Sequence, residues 1–187
     1  MIRYIIVDFD GTFADTRKAN KLAYREAFSE CGQLFSDELY DKVFGLRFDD
    51  MCNALGVTQN LTIRNKIRAK KAEVYHKYAS EITINKTLYE FIKQMKSQGM
   101  KICLASTARL ENIQTVLKSK MISEGIFDYM LTGESVSKGK PSPEIYIKAM
   151  VMIGNPSPKD VLVFEDSNTG ISSAQAAGIT NIIKVRL

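Results

Sequence analysis

The sequence is poor in the features that mark membrane, secreted and zinc-bound proteins. No apolar run approaches the roughly 20 residues of a membrane span. The opening MIRYIIVDFDG holds too short an apolar stretch for a secretory signal and meets acidic residues at once, so a cytoplasmic location is expected. Cysteine is scarce. Cys31, Cys52 and Cys103 are odd in number and far apart, with no CxxC, which argues against a disulfide framework and for free thiols in a reducing compartment. There is no Cys/His cluster. His76, the only histidine, lies in a basic helical segment and is read as a surface or helix-packing residue, not a catalytic one. No repeat and no low-complexity stretch interrupts the 187 residues, a length suited to one domain or to one domain with an insertion.

A net charge of +5 is compatible with an anionic ligand. Much of the excess falls in TIRNKIRAKKAEVYHKY, residues 62–78, where Ile63, Ile67, Val74 and Tyr78 recur at helical spacing and lysines and arginines fill the other faces. That pattern predicts a solvated basic face on a helix rather than a nucleic-acid surface.

Pattern divides the chain. Residues 3–7 form a first strand. From about 12 to 80 no strand is evident; a long helical segment with Ala19, Leu22, Ala23 and Ala27 among its apolar positions ends near Gly32, and further helices are expected over DELYDKVF and FDDMCNAL and through the basic segment, with Gly45 and Gly56 as stops. After Ile82 the chain alternates: a helix in TLYEFIKQMKSQGM, strand KICLAS, helix ARLENIQTVLKSK, strand DYMLTG, helix SPEIYIKAMVMIG started by Pro143, strand DVLVFED, helix NTGISSAQAAG and strand NIIKV. Strand–helix alternation with short connections predicts an α/β, Rossmann-like parallel sheet with helices on both faces. The core is residues 1–14 and 82–187, and residues 15–81 are a helical insertion.

Ligands of such sheets bind beyond the carboxyl ends of the strands. The first strand delivers Asp8 and Asp10 there, the second Ser106 and Thr107, the third leads to Lys140, and the fourth delivers Glu165 and Asp166. Side chains two apart on a strand face the same way, so Asp8 and Asp10 can converge. Close carboxylates need a cation or a shared proton, and this many oxygen ligands suit magnesium. Gly11 permits a sharp turn. Thr12, Ser106 and nearby N–H groups can hold anionic oxygens. A carboxylate nucleophile, a metal and a lysine together describe phosphoryl transfer.

DFDGT, the ST after a strand, GKP and VFEDSNTGISSAQAAG, in that order, resemble the four motifs of the haloacid dehalogenase-like (HAD) superfamily and span the core nearly end to end. The insertion resembles the helical cap of the branch that contains β-phosphoglucomutase and phosphoglycolate phosphatase. The resemblance implies a HAD-like fold, Mg2+ and distinct roles. Asp8 would attack phosphorus and ligate the metal. Asp10 would protonate the leaving group, then activate water, and offer its main-chain carbonyl to the metal. Ser106, with the backbone at Thr107, would hold the transferring phosphoryl group, and Lys140 would bridge that group and Asp8. Asp166 would complete the metal site, and members with this ED pair can also use Glu165. In the insertion, FGLRFDD resembles the loop that related caps lower onto the site, making Arg47 a substrate contact. Arg17, Lys18 and Asn20 are weaker candidates.

Asp10 favours phosphoryl chemistry over carbon–halogen cleavage, because dehalogenases of the superfamily lack it. Mutase members carry a histidine where this chain has Asn20. The expected activity is a phosphatase acting on a small phosphorylated metabolite, by a monomer or homodimer with no membrane or nucleic-acid partner. A sugar-phosphate mutase, a pyrophosphatase and a non-catalytic metabolite- or nucleic-acid-binding protein are the alternatives. EITINKTL lacks the PG that often opens the return to the core. Members usually continue past NIIKV with a further strand and helix. That piece lies beyond the four motifs, so the chemistry is expected to stand without it.

Overall fold

A computed structural model of the chain describes residues 1–57 and 59–187. In chain order, β1 (Tyr4–Val7) and the short β2 (Ala14–Asp15) precede four helices: α1 (Arg17–Glu30), α2 (Asp37–Val43), α3 (Phe48–Ala54) and α4 (Leu61–Tyr75). A 3-10 turn (His76–Glu81) and β3 (Thr83–Ile84) follow, then α5 (Lys86–Ser97), β4 (Lys101–Ala105), α6 (Leu110–Ser119), β5 (Tyr129–Leu131), α7 (Glu144–Met152), β6 (Val161–Glu165), α8 (Asn168–Ala176) and β7 (Asn181–Lys184). The chain divides into two compact units, Met1–Asp15 with Ile84–Leu187, and Thr16–Thr83.

The first unit is a five-stranded parallel sheet in the order β5-β4-β1-β6-β7. Ile5, Ile6 and Val7 are wholly buried in its central strand, and such continuous apolar runs mark a strand covered on both faces. The faces alternate along β6. Val163 packs with Tyr146 and Ala149 of α7 and Ala174 of α8. Phe164 meets Phe91 of α5 edge-on, at 5.6 Å between ring centroids, on the opposite face. Val7 lies level with Leu104 and with Phe164, so β1, β4 and β6 finish side by side and their next residues emerge on one edge.

The second unit is helical and has an aromatic core, with Phe28, Tyr40, Met51 and Ile67 buried among Tyr24, Phe35, Phe44 and Phe48. Ser36 and Asn60 cap α2 and α4 by accepting main-chain N–H groups. Gly45 and Gly56, just past the ends of α2 and α3, have positive φ, as helix-stop glycines do.

Two expectations need correction. β2 falls inside the stretch expected to hold no strand, since two residues are too few to show alternation. The cations of α4 do not all face water: Arg64 and Lys71 are each 4% exposed. Arg64 Nη2 donates to Asn53 Oδ1 at 2.8 Å and to the Val57 carbonyl at 3.0 Å, and Lys71 Nζ lies 3.7 Å from the centroid of the Tyr75 ring. Buried acceptors and ring faces replace the water that periodicity alone assigns to a lysine or arginine. The three cysteines are free thiols. Among the described residues no helix is long and apolar enough to cross a membrane.

Candidate active site

Asp8 continues the line of β1 by one residue. Its N–H donates to the Phe164 carbonyl at 3.0 Å, which sets the side chain at the edge of the sheet with only 5% exposure. The chain then turns tightly. The Phe9 carbonyl accepts from the N–H groups of Phe13 and Ala14 at 3.0 and 2.9 Å, and Gly11 adopts φ +85°. A Cβ on Gly11 would collide with the Asp166 carboxylate, so this turn is open to glycine on both steric and backbone grounds. Thr12 is fully buried, and its hydroxyl reaches Asp166 Oδ1 at 3.4 Å. Asp10 is half-buried, close enough for its charge to act on Asp166.

At the end of β4, Ser106 is buried, its N–H bonded to the Leu131 carbonyl and its Oγ accepting from the Ala108 N–H at 3.0 Å. Thr107 is half-buried, and its carbonyl lies so close to Gly133 that any side chain there would strike it. Lys140 is reached through a loop that Glu144 holds from below. The Glu144 carboxylate accepts from the N–H and hydroxyl of Ser137 and from the N–H of Lys138. The Lys140–Pro141 peptide is cis.

These strand ends meet at the ammonium of Lys140. Its Nζ donates to Asp8 Oδ1 at 2.6 Å, to Glu165 Oε1 at 2.5 Å and to the Ala105 carbonyl at 3.3 Å. Asp8, Glu165 and Asp166 each offer a carboxylate oxygen within 4.8 Å of the others. Arg47 belongs to the second unit, half-buried at the N-cap of α3. The sequence pattern missed Tyr146, whose hydroxyl donates to Glu165 Oε1 at 3.1 Å, and Ser167, whose N–H and Oγ both contact Glu165 Oε2 at 3.0 Å. It also gave no reason for Gly170, where a Cβ would overlap the Glu165 carboxylate. The only signal for Tyr146 was a polar tip at an apolar position of α7.

One ammonium is thus bonded to two carboxylates, Asp8 and Glu165, with a third, Asp166, beside them. Burial is the largest influence on Asp8 and raises its pKa well above 3.8; Lys140 opposes the rise, and Glu165 and Asp166 add to it. Burial works against a charged Lys140, but Asp8, Tyr146 and Glu165 outweigh it and hold the ammonium protonated. Burial also disfavours the Glu165 carboxylate, yet Lys140 and Ser167 hold its pKa below 4.5. Asp166 is pushed up to about 6, by burial first and by Glu165 second. Negative charge left over after Lys140 has been shared suits a further cation. The donor set is all carboxylate oxygen, which fits magnesium. Asp8 and Asp166 are its strongest members, since both oxygens of Glu165 already accept other donors.

The family model described as haloacid dehalogenase-like hydrolase matches residues 5–184. The phosphorylated carbohydrates phosphatase of Thermotoga maritima is 30% identical over 187 residues, covering 97% of this chain and 84% of that protein. The β-phosphoglucomutase of Bacillus subtilis is 26% identical, covering 95% of this chain and 81% of that protein. Among solved structures, CbbY from Rhodobacter sphaeroides in complex with phosphate superposes with a TM-score of 0.86 at 25% identity, over 99% of this chain and 87% of that one.

Proposed function

The chain belongs to the haloacid dehalogenase-like hydrolase family, and we propose that it is a magnesium-dependent phosphatase of small phosphorylated carbohydrates or kindred metabolites, working through an aspartyl-phosphate. The observation that carries this reading is the Lys140 ammonium held between Asp8 and Glu165, with Asp166 beside them, at the carboxyl edge of a parallel sheet. The names of the relatives support that substrate class: one is a phosphatase of phosphorylated carbohydrates, and a CbbY structure with a TM-score of 0.86 is in complex with xylulose-(1,5)bisphosphate.

In the first half-reaction an Asp8 oxygen attacks phosphorus, the bond from phosphorus to the leaving oxygen breaks, and Asp10 gives that oxygen its proton. In the second, Asp10 takes a proton from water as the water oxygen attacks the same phosphorus. The bond from Asp8 to phosphorus breaks, inorganic phosphate leaves, and both carboxyl groups return to their starting states. Ser106, the backbone at Thr107, Thr12 and Lys140 would steady the phosphoryl oxygens, with Lys140 countering the charge that develops on them. Asp8, Asp166 and the Asp10 carbonyl would hold magnesium, with Glu165 at the rim of the same cluster; the ion supplies positive charge beside the reacting phosphoryl group.

The test is phosphate release from a panel of phosphorylated carbohydrates, with and without Mg2+, for the wild type and Asp8→Asn. Loss of the nucleophile is expected to lower turnover by at least about 10³-fold. Undiminished release by Asp8→Asn sinks the mechanism. The likeness to β-phosphoglucomutase favours a second reading, a sugar-phosphate mutase. Against it stands Asn20 of α1, which replaces the mutase histidine. Isomerisation of a hexose 1-phosphate followed by NMR, without release of phosphate, would turn the assignment to the mutase.

A further inference from the structure

Every donor on the Lys140 ammonium is used: three hydrogens meet Asp8, Glu165 and the Ala105 carbonyl. The position of the ammonium therefore depends on how firmly its acceptors are held. The Ala105 carbonyl is fixed by the sheet, and Asp8 by β1. Glu165 stands just where β6 ends, on a side chain with three rotatable bonds, so its carboxylate needs other restraints. It has them on both oxygens. Oε2 accepts the N–H and hydroxyl of Ser167 at the N-terminus of α8, while Oε1 accepts the Tyr146 hydroxyl beside Lys140. Gly170 lets α8 close over the carboxylate with no side chain between them.

Tyr146 is fully buried, and its ring is part of the core between the sheet and α7. The ring also lies 5.2 Å from Lys140 Nζ, within reach of a cation–π contact. A phenylalanine would fill the same core volume and keep that contact. The hydroxyl is the only part that packing does not require, and it is bonded to Glu165 Oε1, the same oxygen that receives Lys140. We propose that Tyr146 is a positioning residue for the phosphoryl-transfer reaction: its hydroxyl fixes Glu165, and Glu165 fixes the Lys140 ammonium on Asp8. Tyr146 would act through Glu165 and Lys140, its two polar neighbours here, and not on the reacting atoms themselves. This inference rests on the assignment of Asp8 and Lys140 to the reaction.

The decisive variant is Tyr146→Phe. It leaves Oε2 fully bonded and the core filled, so the fold and the melting temperature are expected to hold. On protein labelled with 15N-lysine, with the Lys140 ammonium signal assigned through Lys140→Arg, the wild type should show slow hydrogen exchange at that ammonium. In Tyr146→Phe the exchange should quicken measurably and kcat should fall about tenfold, the low end of what removal of an outer hydrogen-bond partner costs in activity. KM and the Mg2+ dissociation constant from calorimetry should stay within about twofold, because the lost contact aligns the ammonium and binds neither substrate nor metal. Should Tyr146→Phe fail to fold, Ser167→Ala, which removes the hydroxyl from the other carboxylate oxygen but leaves the N–H there, should quicken exchange and lower kcat in the same direction, with some loss of melting temperature because that hydroxyl also caps α8.

Exchange needs no substrate, so the two readings fail separately. If no phosphate is released by the wild type but exchange still quickens in Tyr146→Phe, the phosphatase reading falls and the clamp stands. If the enzyme is active and Tyr146→Phe keeps the wild-type exchange rate, the clamp is overturned whatever happens to kcat. A wild-type Lys140 that exchanges as fast as surface lysines overturns it as well.

Discussion

Both units of this chain carry ion pairs on their surface, but among the described residues it is the α/β unit that buries a cluster of them. In the helical unit most ion pairs lie on the outside: Lys21 with Asp41, Arg25 with Asp37 and Lys77 with Glu26 all retain solvent on at least one partner. In the α/β unit, Lys140, Asp8 and Glu165 are bonded to one another with side-chain exposures of 5, 8 and 1%. Exposed pairs typically contribute about 0–1 kcal/mol and can be exchanged without consequence. A buried group of carboxylates with one ammonium among them is weak as a stabilising device. It fits the proposed role, a site prepared for a cation and a phosphoryl group. The difference teaches that burial, more than the number of charges, separates the chemistry from the surface.

Lys140→Met should break that contrast most severely. It leaves Asp8 and Glu165 buried without their shared cation, and unfolding in urea without metal should lose about 3–5 kcal/mol, the usual result of removing one partner from a buried pair. Added Mg2+ should restore part of the loss, since it supplies positive charge to the same oxygens. A loss no larger than that of a surface pair would move this cluster into the class of the exposed ones.

The helical unit has its own exception, and it sharpens the rule. Arg64 is buried against Asn53 and the Val57 carbonyl, while Arg25 pairs with Asp37 at half exposure. Arg64→Met should cost about 1–3 kcal/mol through unsatisfied buried acceptors. Arg25→Met should cost under about 1 kcal/mol. Equal losses in chemical denaturation would show that burial is not what sorts these charges.

Arg64 also marks where reading the sequence stops working. Alternation of β-branched runs with amphipathic helices revealed the parallel sheet, because burial on two faces leaves a periodic trace. The strand-end rule pointed to Asp8, Ser106, Lys140 and Asp166, because a carboxylate or lysine after an apolar strand stands out against it. Arg64 and Lys71 left no such trace. Arg64 depends on Asn53 and Val57, which the tertiary fold brings near, and Lys71, beside Tyr75 one turn along α4, also meets the Tyr24 ring of α1. Tyr146 was hidden for the opposite reason: its ring satisfies the apolar pattern of α7 so well that its hydroxyl carried no separate signal. The two-residue β2 is set by its tertiary surroundings rather than by any local pattern.

Glu144 tests the comparison at its finest grain, because it belongs to the α/β unit yet behaves as a rim charge. Its carboxylate gathers the Lys148 ammonium, the Ser137 N–H and hydroxyl and the Lys138 N–H, and so holds the loop that leads to Lys140. Lys148 first, then these main-chain donors, keep its pKa well below the ordinary 4.5. A carboxylate whose folded pKa is depressed contributes stability that is fully present above its unfolded value and is lost as pH falls through the folded one. The melting-temperature advantage of the wild type over Glu144→Gln should therefore be level from neutral pH down to about 4.5 and shrink below that. Glutamine has no charge to lose over this range, and the other carboxylates titrate alike in both proteins and cancel in the difference. The effect should be the smallest of the series, since Lys148 and the loop remain within reach of water. An advantage that stays constant as the pH drops would show that shape, and not charge, is what Glu144 lends to the loop.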